Sequence, residues 1–196
     1  MSRDFKKEFK EFYVSQKNPY ILNIPPFSYI SFLGKGECDE SNPSFKEARE
    51  TVIYLVKYIK NNLNYDGAYE FVLPPEEILF YNRNARKENL EWRFMIRVPE
   101  FFSERDFLPL INSVKDKKKL PFTKAEFFTL NEGFAVQVLH TGSSSSIRKS
   151  LQTLTDYAAK YGYKADEVVH EIYLTDRKRT KDEKKEKRTV RIKVSL

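Results

Sequence analysis

The residue types best suited to chemistry sit in one stretch, Val168-Val-His-Glu-Ile-Tyr-Leu174. It reads as a strand, so Glu171 and Tyr173, two apart, share one face, and His170, Ile172 and Leu174 take the other. A carboxylate in an otherwise apolar strand either lies at a solvated edge or is kept for a purpose, because burying it unpaired is costly. Glu171 is therefore the candidate polar anchor of a ligand cleft walled by aromatic strand residues. Glu77 is a weaker candidate, since it follows Pro75 at a strand start where solvent is close. Trp92, the one tryptophan, shares a strand face with Phe94 and Ile96. Taken alone, Trp92, Phe80 and Tyr81 read as core before they read as ligand wall. His140 ends a strand before a turn, a place where a lone histidine is usually structural. Cys38 has no histidine near it in sequence and shows no nucleophile pattern. There is no G-x-S-x-G, P-loop or dinucleotide fingerprint, and Gly34-Lys-Gly36 is too short to cradle a phosphate. Two histidines and one cysteine offer no zinc pattern, so neither metal nor other cofactor is expected.

The elements that must position these residues follow from periodicity. Phe5, Phe9, Phe12 and Tyr13 recur at helical spacing over Arg3–Tyr13, and Asn18-Pro19 closes that short helix. Phe27–Leu33 alternates as a strand. Asn42-Pro43 opens a helix whose stripe is Phe45, Ala48, Val52, Leu55 and Ile59. Strands are expected near Ala68–Tyr81, interrupted at Pro74-Pro75, and over Leu90–Val98. A helix carries Phe107, Leu110, Ile111 and Val114; Pro109 argues for a late start. A strand from Gly133 to His140 leads through a serine-rich turn to a helix from Ile147 to Tyr161, stopped by Gly162. Strands Val168–Leu174 and Thr189–Ser195 close the chain, joined by a charged hairpin. The order strand, glycine turn, long helix, strand, strand occurs twice. Glu77-Ile and Glu171-Ile can be set over each other as the same step of each half. The fold class expected is α+β, with two similar β-α-β-β halves sharing one core and a cleft between them.

Composition bounds the rest. The chain has 196 residues, 40% hydrophobic and 32% charged, with 16 Phe and 12 Tyr. That supports a sizeable folded core and argues against disorder. No apolar run is long enough to span a membrane, and Met1–Lys10 has no apolar core of a signal peptide. The single Cys38 suits a reducing cytosol, so a cytoplasmic location is expected. The net charge is +7, but Asp176–Lys193, with ten basic and four acidic residues, carries +6 of it. That run mixes signs and has no aromatic platform, so it reads as a solvated hairpin rather than a nucleic-acid surface.

A set of ordered segments resembles a known family. DFKKEFKEFYVSQKNP, FLGKG, FKEA, FVLPPEEILFY, EWRFMIRVPEF, EGFAVQVLHTG and HEIYLTDRKRT together cover almost the whole chain. They resemble the GyrI-like small-molecule-binding family in its stand-alone form, which includes hydrolases of cyclopropane-bearing DNA-alkylating natural products. The resemblance implies a single domain over 1–196, with pseudo-symmetric halves of about 20–100 and 101–196. It implies binding of planar hydrophobic, often cationic, small molecules. It places Glu171 as the pocket carboxylate, Tyr173 beside it, and Trp92, Phe80, Tyr81, Phe94, Glu77 and His140 around a ligand. If the chain is a hydrolase, Glu171 would orient or activate a water, and Tyr173 or Tyr81 would donate to an oxyanion. The alternative is a protein that sequesters or senses a drug without changing it. Phe80-Tyr81 stands where relatives have Trp-Trp, and Ser143-Ser144 replaces a Pro-Tyr step, so the ligand range need not be theirs.

Overall fold

A computed structural model describes residues 2–62, 70–175 and 182–196. Eight strands form one antiparallel sheet: β1 (Tyr20–Ile24), β2 (Phe27–Lys35), β3 (Glu77–Phe80), β4 (Glu91–Arg97), β5 (Ala125–Leu130), β6 (Gly133–Thr141), β7 (Lys164–Tyr173) and β8 (Lys187–Ser195). Their spatial order is β1-β6-β8-β7-β3-β4-β2-β5. The helices are α1 (Phe5–Glu8), α2 (Lys10–Tyr13), α3 (Pro43–Asn62), α4 (Glu104–Val114) and α5 (Ile147–Lys160). The class is α+β, as the alternation of strand and helix periods predicts. The two expected halves are visible in the order: β2-α3-β3-β4 and β6-α5-β7-β8 meet where β3 pairs with β7. Each lead strand crosses over, so β1 pairs with β6 and β5 with β2.

Alternation decides which residues face which layer. Ile30, Phe32, Ile78, Phe80, Trp92, Phe94, Val138, Val169 and Val190 face α3 and α5 and form the main core with the helix stripes. The opposite face carries Tyr29, Leu79, Met95 and Ile172, partly covered by α1 and α2. Asn42 caps α3 by accepting the Ser44 N–H at 3.0 Å. Gly162, at φ +79°, follows α5 in the left-handed region. Gly34 lies directly across from Trp92, and a Cβ there would meet the indole ring at 2.1 Å. The ring thus occupies the space of an absent side chain.

Several sequence expectations change. The N-terminal helix is two single turns broken at Phe9. β1 and β5 were not foreseen. Of the strand expected over Ala68–Tyr81, only Glu77–Phe80 is a named strand, and residues 63–69 lie outside the described residues. Of the two expected starts, Ser103 and Asp106, α4 takes the earlier and begins at Glu104, which puts Pro109 past the first turn, because Ser103 and Asp106 make a complete capping box. That cap and the buried Leu110, Ile111 and Val114 outweigh the one helical hydrogen bond that proline removes. Of the charged hairpin, 176–181 lie outside the described residues. Glu77 and Glu171 do not occupy matching places: Ile78 is the cross-strand partner of Glu171, so Glu77 faces the other side of the sheet. Among the described residues no helix is long and apolar enough to cross a membrane.

Candidate functional site

Glu171 lies near the middle of the β3–β7 seam with no solvent exposure. The strand register places it there, and its partners come from its own strand and two further segments. Arg83, in the loop after β3, donates from Nε to Oε1 at 2.8 Å. Arg188, at the start of β8, donates from Nη1 to Oε2 at 2.9 Å. The Tyr173 hydroxyl donates to Oε2 at 3.0 Å. Burial alone would push the Glu171 carboxyl up, but Arg83 and then Arg188 outweigh it and hold it below the usual carboxylate range. The group is therefore an anion at neutral pH. A carboxylate offers about four lone-pair directions, and three are in use.

Arg188 is itself wholly buried and also binds Glu186 (2.7 Å), the Gly142 carbonyl (3.3 Å) and Ser144 Oγ (3.0 Å). His140 sits across from Arg188 on β6, its Nδ1 2.9 Å from Ser150 Oγ. Burial lowers the His140 pKa, so the ring is neutral. Glu171, Tyr173, Arg188 and His140 thus form one cluster on the helix side of the sheet. Phe80 joins it through Arg83, whose guanidinium lies 4.4 Å from the ring centroid.

Two clefts flank this cluster. One, of about 580 Å³, lies beside α3 and the 72–76 segment and is lined by Tyr173. The other, of about 680 Å³, lies between α5 and the 81–85 loop and is lined by Arg83. Glu171 lines neither. It connects to the first through Tyr173 and to the second through Arg83.

The other candidate residues are placed differently. Trp92 and Phe94 have no exposure and pack edge-on against Phe45 under α3. The Trp92 indole N–H donates to the Gly36 carbonyl at 3.0 Å. Tyr81 lines the second cleft, and its hydroxyl accepts from Arg93 Nε at 3.0 Å. Glu77 belongs to a second polar cluster on the opposite face. There His170 bridges Glu77 (2.9 Å) and Glu132 (3.0 Å), and Arg191 binds Glu132 at 2.6 Å. Burial would lower the His170 pKa, but Glu132 and then Glu77 raise it. Burial likewise would raise Glu132, yet Arg191 and His170 bring it down to about 2.

Sequence reasoning missed Arg83 and Arg188. Arg188 had a signal: it alternates with Val190, Ile192 and Val194 and so shares their core face. Arg83 had none, because a loop side chain reaching 88 residues along the chain follows no period.

Solved structures share this fold. A hydrolase from Listeria innocua is 25% identical, with 98% of this chain and 99% of that chain covered and a TM-score of 0.85. An uncharacterized conserved protein from the same organism is 24% identical over 98% of this chain and 99% of its own, with a TM-score of 0.88. The EcmrR C-terminal domain, at 16% identity over 93% and 98% of the two chains, gives a TM-score of 0.61. The sequence matches no protein-family description and no curated protein.

Proposed function

We propose that this protein binds planar, hydrophobic small molecules beside Glu171 and opens cyclopropane-bearing alkylators with water. The observation that carries the reading is the Glu171 cluster: a carboxylate with no exposure, tied by Tyr173 to one cleft and by Arg83 to the other. Both clefts combine apolar lining with charged groups: Ile53, Tyr54 and Leu174 lie in the first, Tyr81, Leu151 and Val169 in the second. The hydrolase description of the Listeria innocua structure, and the description of a more distant fold neighbour, SAV2435, as bound to tetraphenylphosphonium, support the same class. So does the resemblance of the sequence to the GyrI-like family.

The reaction would run on a cyclopropane fused to a conjugated dienone. Water attacks a ring carbon, one strained C–C bond breaks, and its electron pair moves into the dienone to give a phenolate. The proton released by the water neutralises that phenolate, so the product is the substrate plus one water. With no surface on either cleft and its proton affinity lowered, Glu171 would act by holding Tyr173 and Arg83 in place beside the bound compound rather than by removing a proton outright. Arg83 in the second cleft would be the donor for the developing oxyanion; Tyr173 would serve in the first only by turning its one O–H away from Glu171.

Purified protein incubated with such an alkylator and followed by mass spectrometry tests this. A product heavier by one water, formed by the wild type and lost in Glu171→Gln, is the expected result. Full turnover by Glu171→Gln would remove Glu171 from the chemistry. Saturable binding with the compound recovered intact would leave a sequestering protein.

A further inference from the structure

Arg83 is the part of the cluster that the Glu171 reading leaves unexplained. Only its Nε is used by the carboxylate. Its two terminal nitrogens make no hydrogen bond to any described residue, while the side chain is only 12% exposed. The guanidinium lies over the Phe80 ring and is tethered by Glu171, and the residue lines the cleft between α5 and the 81–85 loop. The other basic group of that cleft is Arg148 on α5. Its carboxylates are Asp166, which accepts the backbone N–H groups of Glu167 (2.6 Å) and Val168 (3.2 Å), and Glu167, which is exposed. What the cleft offers a ligand is therefore a held, planar set of N–H donors beside an aromatic ring. Glu171 is already neutralised by two guanidiniums and has no charge left over for a cation.

We propose that this cleft seats a planar aromatic molecule by an oxygen acceptor, a carboxylate, phenolate or dienone carbonyl, placed on the free edge of Arg83. This deepens the small-molecule reading and rests on it. It sets selectivity toward acceptor-bearing ligands and against cations of the same shape. A guanidinium held in a plane matches a carboxylate or polarised carbonyl in a way an ammonium does not. In the proposed reaction the same edge would meet the dienone oxygen, where negative charge grows as the ring opens.

Three fluorescent probes with one ring system separate the possibilities: 9-anthracenecarboxylate, 9-anthracenemethanol and protonated 9-(aminomethyl)anthracene. The wild type should bind the carboxylate about tenfold or more tighter than the ammonium, the scale of one charge-assisted hydrogen bond. Arg83→Gln should remove that preference while leaving the alcohol within about twofold, the scale of a contact not made. Arg83→Lys keeps the charge without the fork and should recover only part of it. It also serves if the glutamine variant melts early. Equal or tighter binding of the ammonium by the wild type overturns the inference alone. So does a carboxylate preference that survives in both variants. Failure of all three probes to saturate, the alcohol included, overturns the small-molecule reading and the inference with it.

Discussion

Two buried carboxylate clusters lie on opposite faces of one seam, and they are built differently. On the helix side, Glu171 is held by Arg83 and Arg188 next to two clefts. On the other side, Glu132 and Glu77 hold His170 and Arg191 under α1 and α2. The second cluster is tied into the backbone of the covering helix: Arg191 donates to the Phe12 carbonyl, Thr189 to that of Tyr13 at 2.6 Å, and Gln137 to that of Glu11 at 2.9 Å. The groups left without a partner there, Tyr13 Oη, Ser15 Oγ, Arg97 Nη1 and Glu77 Oε1 among the described residues, are buried and line neither cleft. The first cluster keeps unused donors on Arg83 and opens toward space. Burial and charge alone do not separate a structural network from a site; unspent hydrogen-bonding capacity facing a cleft does.

The sharpest way to break this contrast is to remove the central carboxylate of the closed cluster. Glu132→Leu leaves Arg191 and His170 buried without their shared anion. Stranding a buried charge in this way costs about 3–5 kcal/mol. Urea unfolding should show a loss of that size with ligand affinity of the folded fraction unchanged. A loss under about 1 kcal/mol would mean the network is not a structural clamp.

Glu171→Gln should cost less stability, about 2 kcal/mol, in the range for a buried polar group that loses part of its bonding. Arg188 retains Glu186 and the Gly142 carbonyl, and Arg83 can turn toward its cleft. Turnover or probe binding should fall much further than stability does. If Glu171→Gln destabilised the fold as much as Glu132→Leu while binding held, the two clusters would have to exchange roles.

How much of this was legible in the sequence depends on distance along the chain. The helices α3 and α5 were, because Phe45 to Ile59 and Ile147 to Ala158 repeat with the helical period. The burial of Glu171 was legible only in part: the apolar residues on either side of it allowed a solvated edge or a buried anchor, and pairing with β3 and β8 decides for burial. β1 and β5 were not: Asn23 and Pro25-Pro26 weaken one, Glu126 and Thr129 the other, and each takes its strand partner from the opposite half. The same holds for polar partners. Arg188 lay in a charge run whose composition reads as solvated, although its strand phase is that of the core. Glu77 shows the converse. Its Glu-Ile step looks like that of Glu171, but a shift of one residue reverses the face of a strand.

The two histidines give the clusters opposite pH signatures. The folded state raises the pKa of His170, so its contribution is complete below the unfolded value of about 6.5 and is lost as pH rises through the higher folded value. The folded state lowers that of His140, so its contribution is present above about 6.5 and is lost as pH falls through the lower folded value. Urea midpoints measured from pH 5 to 9 should show His170→Gln removing the decline on the alkaline side. His140→Gln should remove the decline on the acid side. Identical profiles for the two variants would mean that one of the rings does not sit in the electrostatic surroundings described.

The smallest stability effect is expected at Tyr173, and there it is most informative. Tyr173→Phe removes one hydroxyl that donates to Glu171 at 3.0 Å and accepts from Arg188 Nη1 at 3.4 Å. Both partners keep other bonds, and the ring remains packed, so about 1 kcal/mol or less should be lost. A structural hydroxyl would leave nothing more to see. If Tyr173 instead donates to an oxyanion, removing one preorganised donor should lower turnover of an alkylator by about a hundredfold while affinity for the intact compound barely changes. Equal, small losses in stability and turnover would place Tyr173 with the framework of the Glu171 cluster, leaving Arg83 as the donor that meets the ligand.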